Sequence, residues 1–135
     1  MIGLLRSLFA LEPDYPFAEA KQRTGLQQLI GRGQGTCALV AEAGERVVGM
    51  CTVQTVISTA EGGAVGWVED VVVDPAYRQK SLGSGLMSAL EAWAAQQGLK
   101  RLQLLADRKN AAAQAFYQKR GWSLTRMQAW RKMLA

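Results

Sequence analysis

The chain has no histidine among its 135 residues. That absence excludes Ser-His-Asp and Cys-His nucleophilic catalysis and every His-ligated metal centre. Any general acid or base must come from Asp, Glu, Tyr, Lys or Cys. Cysteine is scarce as well: Cys37 and Cys51 are too few for a disulfide framework, and they read as buried thiols either side of a predicted hairpin turn at "EAGER". No apolar run approaches the roughly 20 residues a membrane-spanning helix needs. The opening "MIGLLRSLFALE" is split by Arg6 and followed by no small-residue cleavage site, so it does not read as a signal peptide. The expectation is a cytoplasmic protein with no membrane partner.

What is present is enough hydrophobic residue, 49%, for a core of ordinary size, and a net charge of +5 that is unevenly placed. Residues 1–59 are electrically balanced, so the whole excess falls in residues 60–135. That half attracts anions. Among its aromatics, Trp93, Phe116, Tyr117, Trp122 and Trp130 sit at helix-face or strand positions that a core explains, and no nucleic-acid-binding motif accompanies them. Nucleic acid is not an expected partner.

Periodicity predicts a short helix over residues 2–11, broken by "EPDYP", and a second from about Pro16 to Ile30, ending at Gly31. "TCALVAEAGERVVGMCTVQTVIS" reads as two strands turning at Ala43–Glu45, and "VGWVEDVVV" as a third strand closed by Asp74-Pro75. Leu82 to Gln97 is an amphipathic helix with Leu86, Leu90, Trp93 and Ala94 on one face. "KRLQLLAD" predicts a fourth strand, Asn110 caps a helix running to Arg120, and "WSLTRMQAWRKML" is expected to supply one or two closing strands. No repeat or linker interrupts the order, which predicts a single domain over residues 1–135: an α/β (α+β) mixed sheet with helices on both faces.

The informative segment lies between the third strand and its following helix, "VVVDPAYRQKSLGSGLMSALEAWA". Arg78, Lys80, Gly83 and Gly85 there suggest a phosphate-binding turn. A P-loop would place its lysine after the second glycine, whereas Lys80-Ser81 precede the glycines. A dinucleotide fingerprint would start almost directly after the strand, whereas Asp74 to Leu82 intervene.

The whole segment resembles the signature of the GNAT superfamily of acyl-CoA-dependent N-acetyltransferases, a strand followed by Asp/Asn-Pro-x-Tyr/His-Arg and Arg/Gln-x-x-Gly-x-Gly/Ala opening a helix. "VEDVVVDPAYRQKSLGSGL" is similar to it with Arg78, Ser81 and Gly83 at the signature positions, serine standing where the first glycine is usual. The register Lys80-x-x-Gly83-x-Gly85 also fits. "NAAAQAFYQKRGW", Asn110 to Trp122, resembles the family's downstream block, and the two occur in the family's order. The family opens with a strand before its first helix; here Met1 leads almost directly into a helix, so the expectation is that this strand is missing or that another segment takes its place, and an exposed sheet edge there would favour a homodimer.

The resemblance implies a GNAT-type acyl-CoA N-acyltransferase fold and an enzyme that moves an acetyl group from acetyl-CoA to a primary amine of a small molecule or peptide, without a metal. It implies that main-chain N–H groups of Arg78, Gln79, Lys80, Ser81, Leu82, Gly83 and Ser84 hold the pyrophosphate at a helix N-terminus. Main chain of Val71, Val72 and Val73 takes the pantetheine arm, and Asn110 is a further cofactor contact. Tyr117 is the expected acid for the departing thiolate, since its hydroxyl is protonated at pH 7. Glu69 is the expected base, with Asp70 as the other candidate; strand alternation sends the two to opposite faces. A strand N–H near Val71 is the expected oxyanion donor. A non-catalytic acyl-CoA-binding module is the other reading of the same residues.

Overall fold

The structure is a computed structural model and describes residues 1–134. Its elements are α1 (Ile2–Phe9), α2 (Glu19–Arg32), β1 (Thr36–Ala43), β2 (Arg46–Ser58), β3 (Gly63–Val73), a 3-10 turn at Pro75–Tyr77, α3 (Leu82–Gln96), β4 (Leu102–Leu104) and α4 (Ala111–Lys119). The chain forms two compact units, one from Met1 to Leu104 and one from Leu105 onward. No helix among the described residues is long and apolar enough to cross a membrane.

The first unit is a four-stranded mixed sheet in the order β1-β2-β3-β4, antiparallel except for the β3–β4 pair. β1 and β2 turn through Gly44 and Glu45, with Gly44 at φ 61°, a conformation that costs glycine nothing. Alternation along β2 sorts the helices to the two faces. Met50 and, opposite it, Val72 pack with Leu4, Leu5 and Leu26, so α1 and α2 cover that face. Gly49 points the other way: a Cβ there would stand 3.0 Å from Leu86 Cδ1, so α3 lies close on the second face. Leu86, Met87, Leu90 and Ala94 form its buried stripe, at the helical spacing the sequence predicts.

Boundaries move by a few residues. α2 starts at Glu19 and runs through Gly31 to Arg32, and the C-cap Gly33, with a φ of 75°, supplies the stop. β4 is three residues long, shorter than the alternation of "KRLQLLAD" suggests. No strand precedes α1 among the described residues.

In the second unit Asn110 caps α4 as expected, its Oδ1 accepting the Ala113 N–H at 3.0 Å. The helix closes on Gly121 at φ 87°, whose N–H donates to Gln118 O at 3.0 Å. The closing strands expected in "WSLTRMQAWRKML" are not formed: residues 122–134 contain no strand. The reason is in the spacing. Beyond Leu124 the large apolar residues fall at Met127, Trp130, Met133 and Leu134, a spacing without the alternation that would give a strand one apolar face. These side chains are exposed, Trp130 to 92%.

Candidate functional site

The candidate site in the first unit begins where β3 loses its parallel neighbour. β3 and β4 pair only at Gly66–Leu102, Trp67–Gln103 and Val68–Leu104. Two residues later the β2–β3 ladder slips: Thr52 faces Glu69 but Met50 faces Val72, so Cys51 stands against both Asp70 and Val71. This is a bulge. Asp70 carries it with φ 55°, a left-handed conformation that Asp tolerates better than most residues.

The bulge resets the alternation. Asp74 N–H donates to Val48 O at 2.8 Å and Val72 pairs with Met50, so main chain at positions 72 and 74 is turned toward β2. Main chain at Val71 and Val73 is therefore turned to the side that β4 occupies further back. Arg78 Nε donates to Val73 O there at 3.2 Å.

The bulge also redirects the two carboxylates. Simple alternation sends Glu69 and Asp70 to opposite faces; instead Asp70 Oδ2 accepts from Thr52 Oγ1 at 2.9 Å, and Thr52 is the residue paired with Glu69. Burial pushes the Asp70 carboxyl above its ordinary range, the Thr52 hydrogen bond pulls it back, and the nearby Glu69 pushes it up further. Glu69 is exposed, and its Oε1 accepts from Trp67 Nε1 at 3.1 Å.

Downstream, Asp74 anchors the loop. Its Oδ1 accepts the Ala76 N–H at 3.0 Å, which starts the 3-10 turn, and its Oδ2 receives Arg46 from β2 at 2.9 Å. Lys80 Nζ sits 5.2 Å from the centre of the Tyr77 ring. Both cations expected near phosphate thus also have local partners, Arg78 on a carbonyl and Lys80 on a ring face.

Gln79 and Ser81 are both left-handed, at φ 63° and 61°. Non-glycine residues rarely adopt this conformation, and two within three positions mark a loop whose path is imposed. Ser81 precedes α3 without capping it through its side chain, and the first intrahelical bond runs from Gly85 N–H to Ser81 O at 3.0 Å. The N–H groups of Leu82, Gly83 and Ser84 thus have no acceptor within α3. The first turn holds no acidic residue, and Gly85 has open space around it. The helix dipole and these donors make an anion-receptive end, and the chain leaves room for a ligand to approach.

Neither thiol is prepared to carry an acyl group. Cys51 is fully buried, and burial, with the charges of Cys37 and Asp70 nearby, pushes it up to about 12. Burial also raises Cys37. No group of His, Cys, Asp and Glu among the described residues could hold a metal ion.

The second unit holds Asn110 and Tyr117. Asn110 is exposed at the α4 N-terminus. Tyr117 is half-buried between Phe116, ring centres 5.3 Å apart, and Trp122, at 5.8 Å. Trp122 N–H donates to Tyr117 O at 3.0 Å, so the turn after α4 fixes the tyrosine's surroundings.

The sequence reading missed Thr52, Trp67 and Arg46. Trp67 and Glu69 stand at i and i+2, the spacing that puts strand side chains on one face, and that signal was legible. Thr52 and Arg46 act across strand pairs, which a linear sequence does not display.

The model of the Acetyltransferase (GNAT) family matches residues 4–122. A search of curated proteins gives no match. Among solved structures, a possible acetyltransferase from Clostridium difficile 630 aligns with a TM-score of 0.84 at 16% identity, over 99% of this chain and 89% of that one. Glucosamine-6-phosphate N-acetyltransferase from Arabidopsis thaliana aligns at 0.76 and 22% identity, over 98% and 88%. At such identities these two show a shared fold. An acetyltransferase from Trypanosoma brucei aligns at 0.72 and 27% identity, over 98% and 89%.

Proposed function

The chain belongs to the GNAT acetyltransferase family, and from that premise we propose that it is an N-acetyltransferase, one domain over residues 1–135, moving an acetyl group from acetyl-CoA to a primary amine of a small molecule or peptide. The observation that carries this reading is the loop from Arg78 to Ser84. Two strained residues, Gln79 and Ser81, shape it, and it ends at a helix whose first N–H groups lack intrahelical acceptors. Such an end suits a pyrophosphate. The main chain of Val71 and Val73, facing away from β2, suits an extended amide-bearing arm, and Val72 between them packs in the core. Asn110, one residue before α4, is the remaining cofactor contact.

Acetyl-CoA supplies the activated thioester; the protein supplies position and proton traffic. Glu69, exposed just beyond the end of the β3–β4 pairing, takes the proton that the amine nitrogen must lose, directly or through water. The N–H at Val71 steadies the charge that develops on the acyl oxygen. Tyr117 delivers a proton to the leaving sulfur and recovers one from solvent. The nitrogen–carbon bond forms, the carbon–sulfur bond breaks, and one N–H proton is exchanged for one S–H. The raised thiols of Cys37 and Cys51 argue for direct transfer without an acyl-enzyme. Two free cysteines suit a reducing, cytoplasmic setting, and the uncovered β1 edge suits a homodimer.

A thiol-release screen with acetyl-CoA over amines, aminoglycosides, amino acids and peptides tests the activity, with thermal melting run in parallel. The enzyme reading expects acetyl-CoA to raise the melting temperature and at least one amine to release thiol. Stabilisation with no release across the panel would favour a binding module, and neither effect would remove acetyl-CoA from the account.

A further inference from the structure

The indole of Trp67 stands beside the carboxylate assigned above as base, Nε1 to Glu69 Oε1 at 3.1 Å. Both residues lie upstream of the bulge, where the sheet is regular: Trp67 pairs with Gln54 on one side and Gln103 on the other, and Glu69 pairs with Thr52. Trp67 is thus held in a central strand, ladders on both flanks, while Glu69 is exposed at the point where β4 has ended. A free glutamate side chain samples many rotamers, and holding it in one costs conformational entropy. The indole N–H is a donor only, with no acceptor lone pair to compete for the proton in transit. It fixes one carboxylate oxygen and leaves the other, which no other donor among the described residues reaches, to face the solvent side.

We infer that Trp67 is a positioning residue: its indole N–H holds the Glu69 carboxylate in the orientation in which the second oxygen receives the amine proton. The inference rests on the reading of Glu69 as base. It differs from a packing role for the same ring in one respect, the dependence on the N–H, and that is what an experiment can isolate.

Trp67→Phe keeps an aromatic ring and removes only the donor. With an amine taken from the thiol-release screen, it lowers kcat roughly tenfold and leaves KM for acetyl-CoA unchanged, the loss expected when a reacting group is poorly aimed. In the residual rate of Glu69→Gln the same substitution has no further effect, because the group it served is gone. A tenfold loss that persists in the Glu69→Gln background, or no loss in either, overturns the positioning role. Full activity in Glu69→Gln alone removes Glu69 from the chemistry, and the inference falls with it. A second measurement needs no turnover. In a 15N–1H spectrum of the intact chain the indole signal absent from Trp67→Phe moves in Glu69→Gln, while those of Trp93, Trp122 and Trp130 stay. If it does not move, the contact is not made in solution and the inference fails independently of the catalytic reading.

Discussion

Thr52 and Asp70 meet across the one slip in the β2–β3 ladder, hydroxyl to carboxylate at 2.9 Å, with Thr52 itself buried to 1% exposure. The side chain that the bulge turns inward is therefore an acid in a poorly solvated place. Burial raises its proton affinity and the hydroxyl only partly offsets this. The folded chain then holds the Asp70 proton more tightly than the unfolded chain does. This group's favourable contribution is complete below the ordinary carboxylate value of 3.8 and is lost as pH rises through the raised folded value. Asn tolerates the same left-handed backbone and still offers Thr52 a carbonyl. Asp70→Asn should therefore gain on the wild type in urea midpoint as pH is raised from about 4, the gap growing and then levelling. Urea titrations between pH 3 and 8 measure it; an advantage that shrinks with rising pH would contradict the assignment.

Ser81 concerns the loop rather than the strand. Its left-handed backbone, φ 61° and ψ 13°, is what the family's usual glycine adopts freely. A side chain there costs about 1–2 kcal/mol, against a smaller gain from the less flexible unfolded chain. Ser81→Gly should raise stability by about 0.5–1 kcal/mol, or a few degrees in Tm. It should not weaken acetyl-CoA binding, since the loop's path is kept and its N–H groups remain. Melting curves with and without acetyl-CoA separate the two effects. A destabilised Gly variant would mean the serine hydroxyl contributes something its lack of a capping bond does not suggest.

How much of this was legible beforehand differs between strands and site. The order of elements from α1 to α4 followed from hydrophobic period, from Asp-Pro after Val73 and from the Asn110 cap, all local signals. The hairpin at Gly44-Glu45 and the buried stripe of α3 followed in the same way. The tail after Gly121 did not, because its apolar residues suggested strands while their spacing lacks the strict alternation a one-faced strand needs. At the site, the residue types were legible and their directions were not. The bulge at Asp70 arises from how two strands pair, and it breaks the alternation on which any sequence-level assignment of faces depends. Likewise Arg78 and Lys80 read as phosphate ligands by charge, yet each has a neighbour, Val73 O and the Tyr77 ring, that only the folded loop brings near.

Tyr117 carries the acid role in the proposed reaction. Its ring is held by Phe116 and Trp122, and Phe in its place would keep both contacts. Tyr117→Phe should therefore leave the acetyl-CoA-induced shift in melting temperature intact while lowering kcat on the order of a hundredfold, the low end of what a positioned general acid contributes. Thiol release with the best amine, alongside thermal melts, checks both parts. Unchanged turnover would take Tyr117 out of the mechanism and leave the fold assignment untouched.

Thr55 N–H donates to Gly35 O at 2.7 Å, so odd-numbered main chain in β1 faces β2, and the N–H and C=O groups of Thr36, Ala38 and Val40 face away. The strand "TCALVAEA" has one charge, no lysine and no proline, the devices by which exposed edges usually resist pairing. An antiparallel pairing of two copies about a two-fold axis at Ala38 sets Thr36 against Val40 and Glu42 against Gln34. All three outward positions then find partners and no like charges face each other. Val40, already 41% exposed, is a place where lysine can be added without disturbing the core. Two lysines would then flank the axis of the pair. The wild type should elute as a concentration-dependent dimer in size-exclusion chromatography with light scattering, and Val40→Lys as a monomer with an unchanged melt at low concentration. A wild type that stays monomeric at high concentration would mean this edge is left unpaired, and a dimer that survives Val40→Lys would put the interface elsewhere on the chain.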